Sequence, residues 1–129
     1  MDRFGLFLYS FLKGEEMDFK IIAVDFDGTL CEDMWPKIGK LNLELFAYLK
    51  AEQEKGNKII LWTCRKGRLL EQAISKCRRK GLIFDSVNEN LPEVLEWMGG
   101  NSRKIFAHEY IDDRNSKKID LPFVWKGSV

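Results

Sequence analysis

Acidic and hydroxyl side chains stand at the ends of three apolar runs in this 129-residue sequence. Residues 20–24 (KIIAV) lead to Asp25, with Asp27 two residues on. Residues 58–62 (KIILW) lead to Thr63, and residues 105–111 lead to Asp112 and Asp113. Short, nearly continuous apolar runs of this kind read as parallel strands buried on both faces. In open α/β sheets ligands bind beyond the carboxyl ends of the strands, so these polar groups are expected to converge on one crevice. Gly28 permits a sharp turn after the first acidic pair. A lone Asp-x-Asp is equally an acidic surface turn, and it is the strand before it and the Gly-Thr-Leu after it that favour chemistry.

The whole string Asp-Phe-Asp-Gly-Thr-Leu at 25–30 resembles the first motif of the haloacid dehalogenase-like superfamily, Asp-x-Asp-x-Thr/Val at the end of the first strand. The resemblance implies a magnesium-dependent phosphatase that hydrolyses a phosphate monoester through an aspartyl-phosphate. Asp25 is then the nucleophile. Asp27 is the acid that protonates the leaving oxygen and then the base that activates water, its backbone carbonyl being offered to the metal. Two steps of covalent catalysis need this division of labour between two carboxylates. Leu-Trp-Thr-Cys-Arg at 61–65 fits the second motif, which makes Thr63 the hydroxyl on the transferring phosphoryl group and Gly28, Cys64 and Arg65 its substrate-binding neighbours. By itself a strand-terminal Thr is more often a helix N-cap, and Arg65 is as readily a surface arginine as a phosphate ligand.

Tyr-Ile-Asp-Asp-Arg-Asn at 110–115 resembles the fourth motif, paired acids that bind magnesium. Adjacent carboxylates in one low-dielectric crevice repel unless a divalent cation sits between them and the phosphate. Hard oxygen ligands and a phosphoryl substrate favour Mg2+ over zinc. The expected metal set is Asp25, Asp27, Asp112 and Asp113. The third motif is a lysine that neutralises nucleophile and phosphate. Lys104, eight residues before Asp112, fits it best, with Arg103 and Lys80 as competitors. His108, the one histidine, is expected to be structural, because the mechanism already has its acid and base.

The elements that must position these groups follow from periodicity. Residues 26–40 show no period and read as a loop. Leu41, Leu45, Tyr48 and Leu49 recur at helical spacing up to Gly56, a C-terminal cap. Leu69, Leu70, Ala73, Ile74 and Cys77 mark a second helix stopped by Gly81. Its basic last turn, Lys76, Arg78, Arg79 and Lys80, reads as a solvated face that complements the helix dipole. Residues 83–87 form a third strand, 91–98 a short helix with Pro92 in its first turn, and 121–125 an edge strand. The alternation predicts an α/β fold, a Rossmann-like three-layer sandwich with a mainly parallel sheet and right-handed crossovers. Neither 30–41 nor 63–104 holds room for a cap domain. The resemblance is therefore to a capless member, which acts on large substrates or completes its site with a neighbouring subunit, so a homo-oligomer stays open.

Length and composition agree with one domain over residues 17–129: 45% hydrophobic side chains bury one core, not two. Residues 1–16 read as a dispensable extension, with Met17 as the natural start. Their apolar stretch is too short to span a membrane, and no small-residue cleavage site follows it. A formal charge of +1 supplies no sequence-wide basic field for a polyanion, although a local patch stays open. Three cysteines without a CxxC pair argue against disulfides and structural zinc and for a cytoplasmic protein. The expected partner is a phosphorylated substrate of unspecified identity. The alternatives are a regulatory module that holds phosphate and metal without turnover, and a phosphatase acting on nucleic-acid ends.

Overall fold

The computed structural model describes residues 19–98 and 105–112. The chain forms β1 (Ile21–Val24), β2 (Cys31–Met34), β3 (Lys37–Leu41), α1 (Leu43–Glu54), β4 (Lys58–Leu61), α2 (Gly67–Arg79), β5 (Ser86–Val87), α3 (Pro92–Met98) and β6 (Glu109–Ile111). Four strands make one sheet in the order β5-β4-β1-β6, every pairing parallel. This is an α/β fold, and no cap domain is present among the described residues. No helix among them is long and apolar enough to cross a membrane.

The continuous apolar character of β1 and β4 has a direct cause. Ile22, Val24, Ile59 and Leu61 face Leu45, Phe46 and Leu49 of α1 and Ala73 and Cys77 of α2. The alternate residues Ile21, Ala23 and Ile60 face Val94 of α3 with Leu91, Ile105 and Ala107. Both faces are covered, so neither carries polar residues. Helix α1 starts where Asn42 Oδ1 accepts from the Leu45 amide at 3.1 Å, and it ends before Gly56 at φ +94°, the left-handed stop expected of that glycine.

Residues 26–40 are not the simple loop that their lack of period suggests: β2 and β3 pair there as an antiparallel hairpin. The ribbon is largely exposed, so its residues carry no burial pattern. At Gly39 a Cβ would lie 2.3 Å from the Glu32 carbonyl oxygen, so only glycine lets the two strands close. The third strand is shorter than expected, beginning at Ser86, and the fourth, Glu109–Ile111, lies within residues 105–111 as expected. The expected edge strand at 121–125 and the extension at 1–16 lie outside the described residues.

A buried ionic cluster ties the amino ends of the strands together, away from their carboxyl ends. Lys20 Nζ lies 2.9 Å from Glu52 and 2.5 Å from the fully buried Glu109, and the Tyr48 hydroxyl donates to Glu109 at 3.0 Å. Burial pushes the Glu109 carboxyl up despite these partners. His108 belongs to the same end: its Nδ1 accepts from the Ile21 amide at 2.9 Å, the structural role expected of it.

Candidate functional site

Register brings the sequence-separated acids together. Val24 pairs with both Leu61 and Ile111, so Asp25, Trp62 and Asp112 leave adjacent strands side by side. The Asp25 amide donates to the Ile111 carbonyl at 2.9 Å and the Trp62 amide to the Val24 carbonyl at 2.8 Å. Beyond these ends lies a crevice of about 560 Å³ lined by Asp25, Thr63, Cys64 and Asp112, with Trp62 and Tyr110 as its aromatic walls. The place is the one topology favours: from β1 the chain moves outward through β4 and β5, and β6 then returns to the other side of β1. The amide of Phe26 donates to Asp25 Oδ1 at 2.8 Å, which fixes the orientation of that carboxylate.

Thr63 is not the cap of α2, a place taken by Lys66 without a side-chain hydrogen bond. The Thr63 hydroxyl instead accepts from the Arg65 amide at 3.1 Å, which leaves its own proton to donate. The Thr63 amide donates to Asn88 Oδ1 at 2.7 Å. Asn88 sits at φ +55° just past β5, a conformation that asparagine tolerates better than most residues. Sequence reasoning missed Asn88. The available signal was an asparagine directly after a strand, where a turn with positive φ is common.

Arg65 is neither on the surface nor in the crevice. It is fully buried, its Nε and a terminal nitrogen donating to the two oxygens of Asp27 at 2.8 and 2.7 Å. Two further donors reach the Pro36 and Lys37 carbonyls at 3.1 Å. The guanidinium lies 5.0 Å from the Phe26 ring centroid and 5.2 Å from that of Trp35. Its hydrogen bonds with Asp27 push its pKa further above the usual arginine value. Such a bidentate pair is geometrically specific, and here it ties Asp27 to the hairpin.

Of the expected site residues, Asp25, Thr63, Cys64 and Asp112 share the crevice. Asp27 is drawn aside by Arg65. Gly28, at φ +82°, lines a separate depression with Thr29, Cys31 and Asn42. Lys104 and Asp113 lie outside the described residues. Among those residues no group of three or more His, Cys, Asp or Glu side chains is placed to hold a metal. The donor chemistry of Asp25 and Asp112 still suits magnesium, which usually takes one or two carboxylates and fills its shell with substrate phosphate and water.

A solved structure of a conserved protein from Bacteroides thetaiotaomicron is similar to this chain, with 43% identity over 76% of this chain and 78% of that one and a TM-score of 0.67. No protein-family model matches the sequence. No curated protein matches it either.

Proposed function

The chain belongs to the same family as the Bacteroides thetaiotaomicron conserved protein, and from the crevice at its strand ends we propose that it is a magnesium-dependent phosphatase of the haloacid dehalogenase-like type. The observation that carries this is the meeting of Asp25, Thr63 and Asp112 around one cavity, although 38 and 87 residues separate Thr63 and Asp112 from Asp25 in sequence. The packing of α1 and α2 on one face of the sheet and α3 on the other supports a Rossmann-like three-layer reading.

An Asp25 oxygen attacks phosphorus and the bond to the ester oxygen breaks, leaving an aspartyl-phosphate. The leaving oxygen takes a proton from Asp27. Asp27, again a carboxylate, then takes a proton from the water that attacks phosphorus, which releases inorganic phosphate and restores Asp25. Thr63 donates its hydroxyl hydrogen to a phosphoryl oxygen. Magnesium held by Asp25 and Asp112, with the Asp27 carbonyl and Asp113, supplies neutralisation of the phosphoryl charge when bound. Lys104 is assigned the second neutralising charge. Because each Asp27 oxygen accepts one bond from Arg65, Asp27 passes on a proton through the lone pair that each oxygen has left.

That engagement of Asp27 is the one observation favouring the second reading, a module that binds phosphate and metal without turnover. Hydrolysis of an aryl phosphate with magnesium separates the two. The phosphatase reading predicts turnover that Asp25→Asn removes almost entirely and Asp27→Asn lowers by roughly 10²–10⁴-fold. Activity near wild type in Asp25→Asn would sink the mechanism.

A further inference from the structure

A second cavity, a groove of about 520 Å³, lies between the hairpin and α2, lined by Lys37, Arg68, Gln72, Lys76 and Arg79, with Glu71 as the acid in its wall. Lys37, Arg68 and Lys76 make no ion pair among the described residues, and Arg79 donates to the Ser75 hydroxyl at 3.0 Å. Residues 66–80 hold six cationic side chains and one acidic one, whereas the whole chain carries a formal charge of only +1. Three of the six, Arg68, Lys76 and Arg79, line the groove, where Lys37 joins them. Like charges three or four residues apart on a helix repel, so the row gains from an anion laid along it rather than from its own neighbours.

One wall of the groove is tied to Asp27. Lys37, in its wall, gives its carbonyl to Arg65, the residue that holds Asp27. Arg68 to Arg79 spans roughly 16 Å along the helix axis, the length of about five phosphates at the rise of a duplex strand and fewer when a single strand is extended. Outside the groove two large aromatic side chains keep exposed surface: Trp35 at the hairpin turn (55%), two residues from Lys37 and packed against Arg65, and Trp62 in the crevice wall (44%). Cations and exposed aromatic rings together suit a chain that alternates phosphates with flat bases. An acidic peptide would meet the cations and leave the exposed Trp62 without a stacking partner.

We infer that this groove carries the backbone of single-stranded nucleic acid, whose terminal phosphate monoester is the substrate presented to Asp25. The inference rests on the phosphatase proposal for its chemistry, but binding in the groove is measurable without turnover.

The experiment uses a fluorescent oligothymidylate of roughly ten nucleotides without a terminal phosphate, matched to single-strand site sizes, with anisotropy followed against salt. Four contacts predict a slope of log K against log salt of about −3, and Lys76→Gln/Arg79→Gln should reduce it to about −1.4. The same double variant should leave aryl phosphate turnover unchanged and raise KM for the terminally phosphorylated oligonucleotide. A slope that the double variant does not change would overturn the inference, as would an acidic peptide competing as strongly as the oligonucleotide. Aryl phosphate turnover without oligonucleotide binding would overturn it while leaving the phosphatase reading intact. Oligonucleotide binding with the expected slope but no hydrolysis of any ester would uphold the groove and overturn the phosphatase reading instead.

Discussion

Replacing Arg65 by methionine tests the junction between hairpin and site most sharply. The guanidinium makes four hydrogen bonds, two to Asp27 and one each to the Pro36 and Lys37 carbonyls, from a fully buried position. Methionine fills similar volume but satisfies none of them. Removing one partner of a buried pair costs about 3–5 kcal/mol. The Asp27 side chain keeps 19% exposure, so water resolvates part of the stranded charge and the expected loss is near the lower end, about 3 kcal/mol. For a chain of this length that is a melting shift of roughly 10–15 °C. Adding Asp27→Asn removes the stranded charge and should recover part of the loss, with a coupling of about 1–3 kcal/mol in the double-mutant cycle. Urea unfolding of the four proteins at neutral pH measures this, and limited proteolysis should show faster cleavage near Trp35 once the hairpin is untied. A loss below about 1 kcal/mol with additive effects would mean that Arg65 is solvated in solution, and the clamp would have to be abandoned.

Two further outcomes follow from single contacts. Asn88→Gly keeps the positive φ but deletes the acceptor of the Thr63 amide; it should cost about 1 kcal/mol and lower kcat by up to roughly 100-fold through misplacement of Thr63, whereas wild-type turnover would show that Asn88 does not set its position. At His108, burial and then the Lys20 charge hold the pKa below its ordinary value of 6.5, and Nδ1 already accepts a hydrogen bond. The unfolded chain therefore takes up this proton first, so stability falls as pH drops below about 6.5 until the folded pKa is reached. His108→Gln should flatten that part of the melting profile between pH 8 and 5, and an unchanged pH slope would contradict the assignment.

What was legible in the sequence divides along physical lines. β1 and β4 were readable because both of their faces are buried, which writes an unbroken apolar run. The crevice residues at their ends were readable because Asp25 and Thr63 directly follow the runs 20–24 and 58–62. The hairpin was not, since an exposed two-stranded ribbon imposes no pattern on Glu32, Asp33 or Lys40. The third strand shortens because Asp85 turns its carboxylate onto the Ile59 amide at 2.8 Å. The pairing of Arg65 with Asp27 joins residues 38 positions apart, and only the folded hairpin, which excludes water from it, distinguishes that arginine from a solvated one. The basic last turn of α2 is largely exposed, as its charges suggest, whereas the groove that Lys76 and Arg79 line was not readable because Lys37 lies on another element.

The central claim is that Asp25 accepts a phosphoryl group, and it can be tested without knowing the substrate. Beryllium fluoride with magnesium mimics a phosphoryl group on an aspartate, so a site of that geometry should bind it. A ligand at 100 times its dissociation constant stabilises the native state by about 2.7 kcal/mol, a melting shift on the order of 5 to 15 °C for this chain. The proposal predicts that shift only when magnesium and beryllium fluoride are present together, its loss in Asp25→Ala and its weakening in Asp112→Ala. A full shift with magnesium alone, to which beryllium fluoride adds nothing, would contradict it.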